Sequence, residues 1–221
     1  LITGPTGSGK SSTVYGIITK LKSEHLNIIT LEDPIEYEVE GVNQVMIDER
    51  VGLTFANGLR SILRQDPNVV MVGEMRDRET AEIAMQASLT GHVVLSTLHT
   101  NDSVASIVRL LNLGIQPYLI ASSVNGVIAQ RLVRVICPHC KEQYVPSTED
   151  LLNIRMKDTE TAPFNVYRGK GCDHCKNSGY SGRTGIYEVF PMSARIKEMI
   201  ASRASEGEIR QTAIAEGMKT L

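Results

Sequence analysis

Residues 1–12 read LITGPTGSGKSS. Three apolar or β-prone residues run into a loop with glycine at 4, 7 and 9, and Lys10, Ser11 and Ser12 then open a helical pattern. The spacing Gly4-x-x-x-x-Gly9-Lys10-Ser11 is that of a phosphate-binding loop. Glycines let the backbone wrap closely round phosphate oxygens and adopt dihedrals that other residues avoid. Successive inward amides form a nest of donors, and the helix that follows adds its positive N-terminal end. The alternative, an ordinary glycine-rich strand-to-helix turn, does not need a lysine and a serine at this spacing. The candidate nucleotide-binding residues are therefore Gly4, Pro5, Thr6, Gly7, Ser8, Gly9, Lys10, Ser11 and Ser12. Lys10 is placed to bridge the β- and γ-phosphates of ATP, and the Ser11 hydroxyl to ligate Mg²⁺.

Outward from the loop, strand and helix patterns alternate. Helices are expected over residues 11–24, 54–63, 78–89, 101–112 and 117–130, and strands over 1–3, 27–31, 42–47, 68–73, 92–98 and 132–136. The run NVVMVG at 68–73 is apolar throughout, as a strand buried on both faces is. Such alternation predicts an α/β fold, a mostly parallel sheet with helices on both faces. Residues 137–185 change character, with four cysteines and few long apolar runs, and helical patterning returns from about residue 193. The expected organisation is a nucleotide-binding core over 1–136, a cysteine subdomain over 137–185 and a small helical region over 186–221. Residue 1 already sits in a core strand and the closing EGMKTL stops in mid-pattern, so the chain reads as a piece of a longer protein with an upstream domain outside it.

Composition narrows the function classes. The 221 residues are 42% apolar and 22% charged, with a formal net charge of −2. That balance gives no general electrostatic grip on nucleic acid, and no apolar run approaches the ~20 residues that span a bilayer.

A phosphate loop does not say what is done to the phosphate. In open parallel sheets the chemistry lies at the carboxyl ends of the strands. Two acidic clusters are expected there, LEDPIEYE at 31–38 and VGEMRD at 72–77. Hydrolysis needs one acid on the Mg²⁺ side and one carboxylate to orient the attacking water. Glu74 closes an apolar strand and takes the metal side. Glu36, beyond an Asp-Pro turn, is the candidate for the water, with Glu32 and Asp33 competing for that role. His99 falls at the same sheet edge as the phosphate loop, placed to sense the γ-phosphate; His92 opens the same strand.

CPHC at 137–140 and CDHC at 172–175 use all four cysteines of the chain. Two such knuckles close a tetrahedron of thiolates round a structural Zn²⁺, with Cys137, Cys140, Cys172 and Cys175 as ligands. Disulfides are the alternative.

The blocks GPTGSGKSS, ITLEDPIEYE, LRSILRQDPNVVMVGEMRD, TGHVVLSTLHTND, IAQRLVRVICPHC and GYSGRTGIYEVF, in this order, resemble the secretion ATPases of type II secretion and type IV pilus assembly. The resemblance covers essentially the whole chain. It implies a RecA-like P-loop NTPase core, working as a cytoplasmic homohexamer peripheral to the inner membrane, with a membrane platform protein and a cytoplasmic adaptor as partners. It also implies ATP, Mg²⁺ and Zn²⁺ as cofactors, Glu36 as the water-activating carboxylate, Glu74 as the Mg²⁺-side acid, and His92 and His99 as a histidine box. Retraction motors of the family generally lack the cysteine loop, so its presence favours assembly or secretion. A RecA-like DNA translocase is the rival reading; the acidic balance and 5% aromatic content weigh against it.

Overall fold

The computed structural model of the chain describes residues 1–147 and 166–221. They divide into two compact units, one comprising Leu1–Arg131 with Gly185–Leu221, the other Leu132–Thr184.

The first unit is built on parallel strands: β1 (Ile2–Thr3), β2 (Ile28–Glu32), β3 (Asn43–Met46), β4 (Val69–Val72) and β5 (Val93–Leu98). β6 (Gly126–Ile136) and β9 (Tyr180–Pro191) complete a seven-stranded sheet in the order β3-β2-β4-β5-β1-β6-β9, and both strands run on past the boundary between the units. β1 lies between β5 and β6 and parallel to both, with Thr3 level with Leu98 and Ala129. The helices are α1 (Lys10–Leu21), α2 (Phe55–Ile62), α3 (Arg78–Leu89), α4 (Ser103–Asn112), α5 (Pro117–Ser123), α6 (Ala194–Ala201) and α7 (Glu206–Ala215).

Strand periodicity distributes the core. On β4, Val69 and Met71 join Ile2, Ile28 and the α1 residues Val14, Tyr15 and Ile18, whereas Val70 and Val72 join the larger cluster containing Leu59, Ala81 and Ile107. The sheet is therefore apolar on both faces, which explains why β4 is an unbroken apolar run. Side-chain oxygens cap α2 (Thr54), α3 (Asp77), α4 (Asp102), α6 (Ser193) and α7 (Ser205). No described helix is long and apolar enough to cross a membrane.

Two expectations are corrected. The helix expected over 11–24 runs over Lys10–Leu21, with Val14, Tyr15 and Ile18 buried and Leu21 exposed at its end. The helix expected over 117–130 ends at Ser123. Val124 is extended there, and β6 begins at Gly126. Asn125-Gly126 breaks the helix, and the following β-branched residues suit a pleated surface better than a helix.

The second unit holds a two-stranded antiparallel sheet of β7 (Lys141–Tyr144) and β8 (Val166–Gly169), with Lys141 opposite Gly169 and Tyr144 opposite Val166. Cationic side chains cover its tyrosine rings: Lys141 lies over Tyr167 at 4.0 Å and Arg168 over Tyr144 at 5.2 Å.

Candidate functional site

The loop of residues 4–9 leaves the carboxyl end of β1. Gly9 closes it in the left-handed region (φ 86°) and starts α1 with no side-chain cap, so the first amides of that helix stay free for a ligand. Gly4 is also at positive φ (149°), and a Cβ there would lie 2.5 Å from the Gln130 carbonyl oxygen and 2.6 Å from Ser8 Oγ. Only glycine fits between β1 and β6 at that point. Ser8 Oγ is buried and makes no hydrogen bond among the described residues. Lys10 Nζ donates to the Gly4 and Pro5 carbonyls at 3.0 and 3.1 Å, so its ammonium group folds over the loop that it follows. Burial pushes the Lys10 pKa down, and the Glu74 charge opposes that shift. The bare amides, a glycine cradle and a lysine folded across them fit a nucleotide's phosphates.

The acids at the strand ends separate by environment. Glu32, the last residue of β2, is 3% exposed. Its carboxylate accepts from the Tyr15 hydroxyl, from Thr30 Oγ1 at 2.6 Å and from Gln44 Nε2 at 3.0 Å. Burial, and then the bond to Glu32, push the Tyr15 phenol up to about 12, so it remains a donor. Asp33, before a cis Pro34, lies 3.8 Å from Arg76. Glu36 is exposed; its Oε1 accepts from Ser11 Oγ at 2.7 Å, and its amide donates to the Tyr15 hydroxyl at 3.3 Å. Two residues one turn apart on α1 thus grip Glu36, one by its side chain and one by its main chain.

Glu74 follows β4, where the Gly73 amide donates to Leu31 O at 2.8 Å and Thr97 Oγ1 to Gly73 O at 2.7 Å. Its side chain is 17% exposed, with Arg76 Nη2 at 2.5 Å and His99 Nε2 at 3.6 Å. The Glu74 bond is the largest influence on Arg76, holding its pKa above the usual guanidinium value. Ser11, an expected Mg²⁺ ligand with Glu74, donates its hydroxyl to Glu36. His99 follows β5 at the phosphate-loop end. His92 precedes that strand at its other end, where its Nδ1 lies 2.9 Å from Ala87 O and 3.1 Å from Thr90 Oγ1 at the close of α3. The two histidines are therefore at opposite ends of one strand, and only His99 adjoins the acids. Asp77 caps α3 through Thr80 N at 2.8 Å.

Sequence reasoning missed Arg76, Tyr15 and Gln130. Arg76 stood in the acidic block between Glu74 and Asp77, where a lone arginine among acids signals a partner. Tyr15 and Gln130 gave no such signal.

In the second unit the four thiols converge. The Cys137–Cys172, Cys140–Cys175 and Cys172–Cys175 sulfur pairs are 3.9, 3.8 and 3.8 Å apart, and all four sulfurs lie within 4.8 Å of one another. A tetrahedral Zn²⁺ with bonds of about 2.3 Å has sulfur–sulfur edges of about 3.8 Å, whereas a disulfide is about 2.05 Å. Amides of Gly171, Cys172 and Gly179 donate to Cys140 or Cys175 sulfur at 3.3 Å, as amides around metal-bound thiolates do. The donor set fits zinc. His139 and His174 stack on each other at 4.0 Å, both exposed, outside the cluster.

The family described as Type II/IV secretion system protein matches residues 1–221. The chain is 52% identical over 98% of its length to the Type II secretion system protein E of Pseudomonas aeruginosa, covering 43% of that protein. It is 46% identical over its whole length to the Type IV pilus assembly ATPase PilB of Thermus thermophilus, covering 25% of it. The chain thus spans less than half the length of these curated relatives. A crystal structure of the pilus retraction motor PilT with bound ADP superimposes with a TM-score of 0.63 at 28% identity, covering all of this chain and 58% of that one.

Proposed function

The chain belongs to the Type II/IV secretion system protein family, and from that premise we propose that it is the ATP-hydrolysing core of a motor for pilus or pseudopilus assembly or protein secretion. The observation that carries this reading is the convergence, at one end of the parallel sheet, of Lys10, Ser11, Glu36, Glu74 and His99.

The loop amides and Lys10 hold the phosphates of ATP. Glu36, exposed and gripped by α1, orients the attacking water and takes its proton. Ser11 and Glu74 are the residues to hold Mg²⁺, which when bound neutralises charge on the phosphate oxygens. His99 and Arg76 flank Glu74 and hold its carboxylate in place. Cys137, Cys140, Cys172 and Cys175 hold a structural Zn²⁺ with no open position and so take no part in hydrolysis. The similarity to a Type II secretion system protein and to a Type IV pilus assembly ATPase supports a role within such a machine. In it the chain works as part of a homohexamer at the cytoplasmic face of the inner membrane, engaging a membrane platform protein and a cytoplasmic adaptor.

Lys10→Ala tests the reading. In the full-length protein it abolishes ATP binding or turnover; unchanged affinity and rate overturn the assignment. Light scattering with ATP tests the ring, with a mass of six subunits expected.

A further inference from the structure

Gln130 lies on β6 one residue beyond Ala129, the partner of Thr3, and so stands level with Gly4 where the phosphate loop begins. It is 2% exposed and uses both ends of its amide. Nε2 donates to the Ser8 carbonyl at 2.8 Å, and Oε1 accepts from Thr13 Oγ1, in the first turn of α1, at 2.7 Å. Its own backbone carbonyl is the atom that a Cβ on Gly4 would strike. One residue of a neighbouring strand thus touches the phosphate loop at its start, near its end and on the helix behind it.

The consequence follows from peptide geometry. In a trans peptide the carbonyl and the N–H point in opposite directions. Fixing the Ser8 carbonyl on Gln130 therefore fixes the Gly9 N–H pointing away from β6. A glycine at positive φ on the other side of that peptide does not hold it by itself, because glycine rotates freely. We infer that Gln130 is a positioning residue for nucleotide binding: it sets the Ser8–Gly9 peptide so that the Gly9 amide is presented to the phosphates before ATP arrives. This rests on the loop being a nucleotide site. The donor is needed equally by bound substrate and transition state, so losing it raises KM and leaves kcat.

The test uses the full-length protein with ADP binding, KM and kcat for ATP, and melting with and without ADP. Gln130→Met loses both bonds at similar length. Gln130→Glu keeps the acceptor for Thr13 but turns an oxygen on the Ser8 carbonyl. Both are expected to weaken ADP binding and raise KM about tenfold or more, with kcat at saturating ATP within about twofold. Thr13→Val, which breaks only the other bond, is expected to stay within about twofold on both. A purely structural glutamine lowers the melting temperature of the free protein but leaves KM and the ADP-induced rise in melting temperature intact. That rise scores affinity even in a variant of lowered stability, and a full wild-type rise in both Gln130 variants overturns the inference. Lys10→Ala separates the two readings. If it too keeps ADP binding, the loop is not the site; if it alone loses binding, only the role of Gln130 falls.

Discussion

Glu32 and Glu36 compete in sequence for the same role, and burial decides between them. The Glu32 carboxylate is 3% exposed and already accepts from Tyr15, Thr30 and Gln44, so it is shut off from a water at the phosphate. Glu36 is exposed and, among the described residues, receives only Ser11 on its side chain. Glu36→Gln is expected to lower single-turnover hydrolysis by about 10²–10⁴, the usual yield of a positioned general base, with ATP still bound. Glu32→Gln behaves differently. Its amide nitrogen accepts from none of the three donors and its single oxygen cannot take them all, so a buried donor is left unpaired at a cost of about 1–3 kcal/mol. A lower melting temperature with near-normal hydrolysis per folded molecule is expected. If the two variants swap phenotypes in these two assays, the assignment of roles is reversed. The lysine, serine and strand-end acids were legible because phosphate chemistry fixes their type and spacing. Tyr15 was not, because a tyrosine among Val14 and Ile18 reads as core, and only the fold shows its hydroxyl against an acid.

At the scale of elements, the loop and β6 form one device. The periodicity over residues 117–130 fits a helix, and that reading carries Gln130 away from the site. The break at Asn125-Gly126 restores it as a strand residue beside Gly4. The error arises because short apolar runs satisfy helix and strand periods alike, and the partner that settles the matter, β1, lies more than a hundred residues away in sequence. The same proximity makes the loop glycines unequal. Gly4→Ala sets a Cβ against the backbone oxygen of Gln130, which belongs to a central strand and cannot give way. Gly7, at φ 76°, has nothing within 4 Å of a Cβ, so Gly7→Ala costs only the left-handed strain, about 1–2 kcal/mol. Thermal melts are expected to rank Gly4→Ala well below Gly7→Ala, with ADP affinity falling most in Gly4→Ala. Equal melting temperatures would show that β6 does not press on the loop.

At the scale of the molecule, the chain joins two units stabilised by different means. Leu1–Arg131 with Gly185–Leu221 has an apolar sheet covered on both faces; Leu132–Thr184 has a two-stranded sheet, tyrosine rings under cations, and four thiols. Sequence spacing marked the thiols but could not show whether they close on a metal or pair as disulfides. The 3.8–3.9 Å sulfur separations fit a metal and are too long for disulfides. A two-stranded sheet is marginal alone, whereas structural zinc binds with about 10–16 kcal/mol in small peptides. A bound zinc would therefore be the main contribution holding the two knuckles together. Cys140→Ser removes one ligand and leaves three thiols with no tetrahedral partner. Elemental analysis of the purified protein is expected to give about one zinc per chain, falling towards zero in Cys140→Ser. Hydrogen exchange should quicken in β7 and β8 while β1, β2, β4 and β5 keep their protection and ADP affinity at Lys10 stays within about twofold. Wild-type protein without zinc, yet with β7 and β8 protected and the thiols freely reactive, would mean that hydrogen bonds to sulfur hold the knuckles and that the quartet is not a metal site.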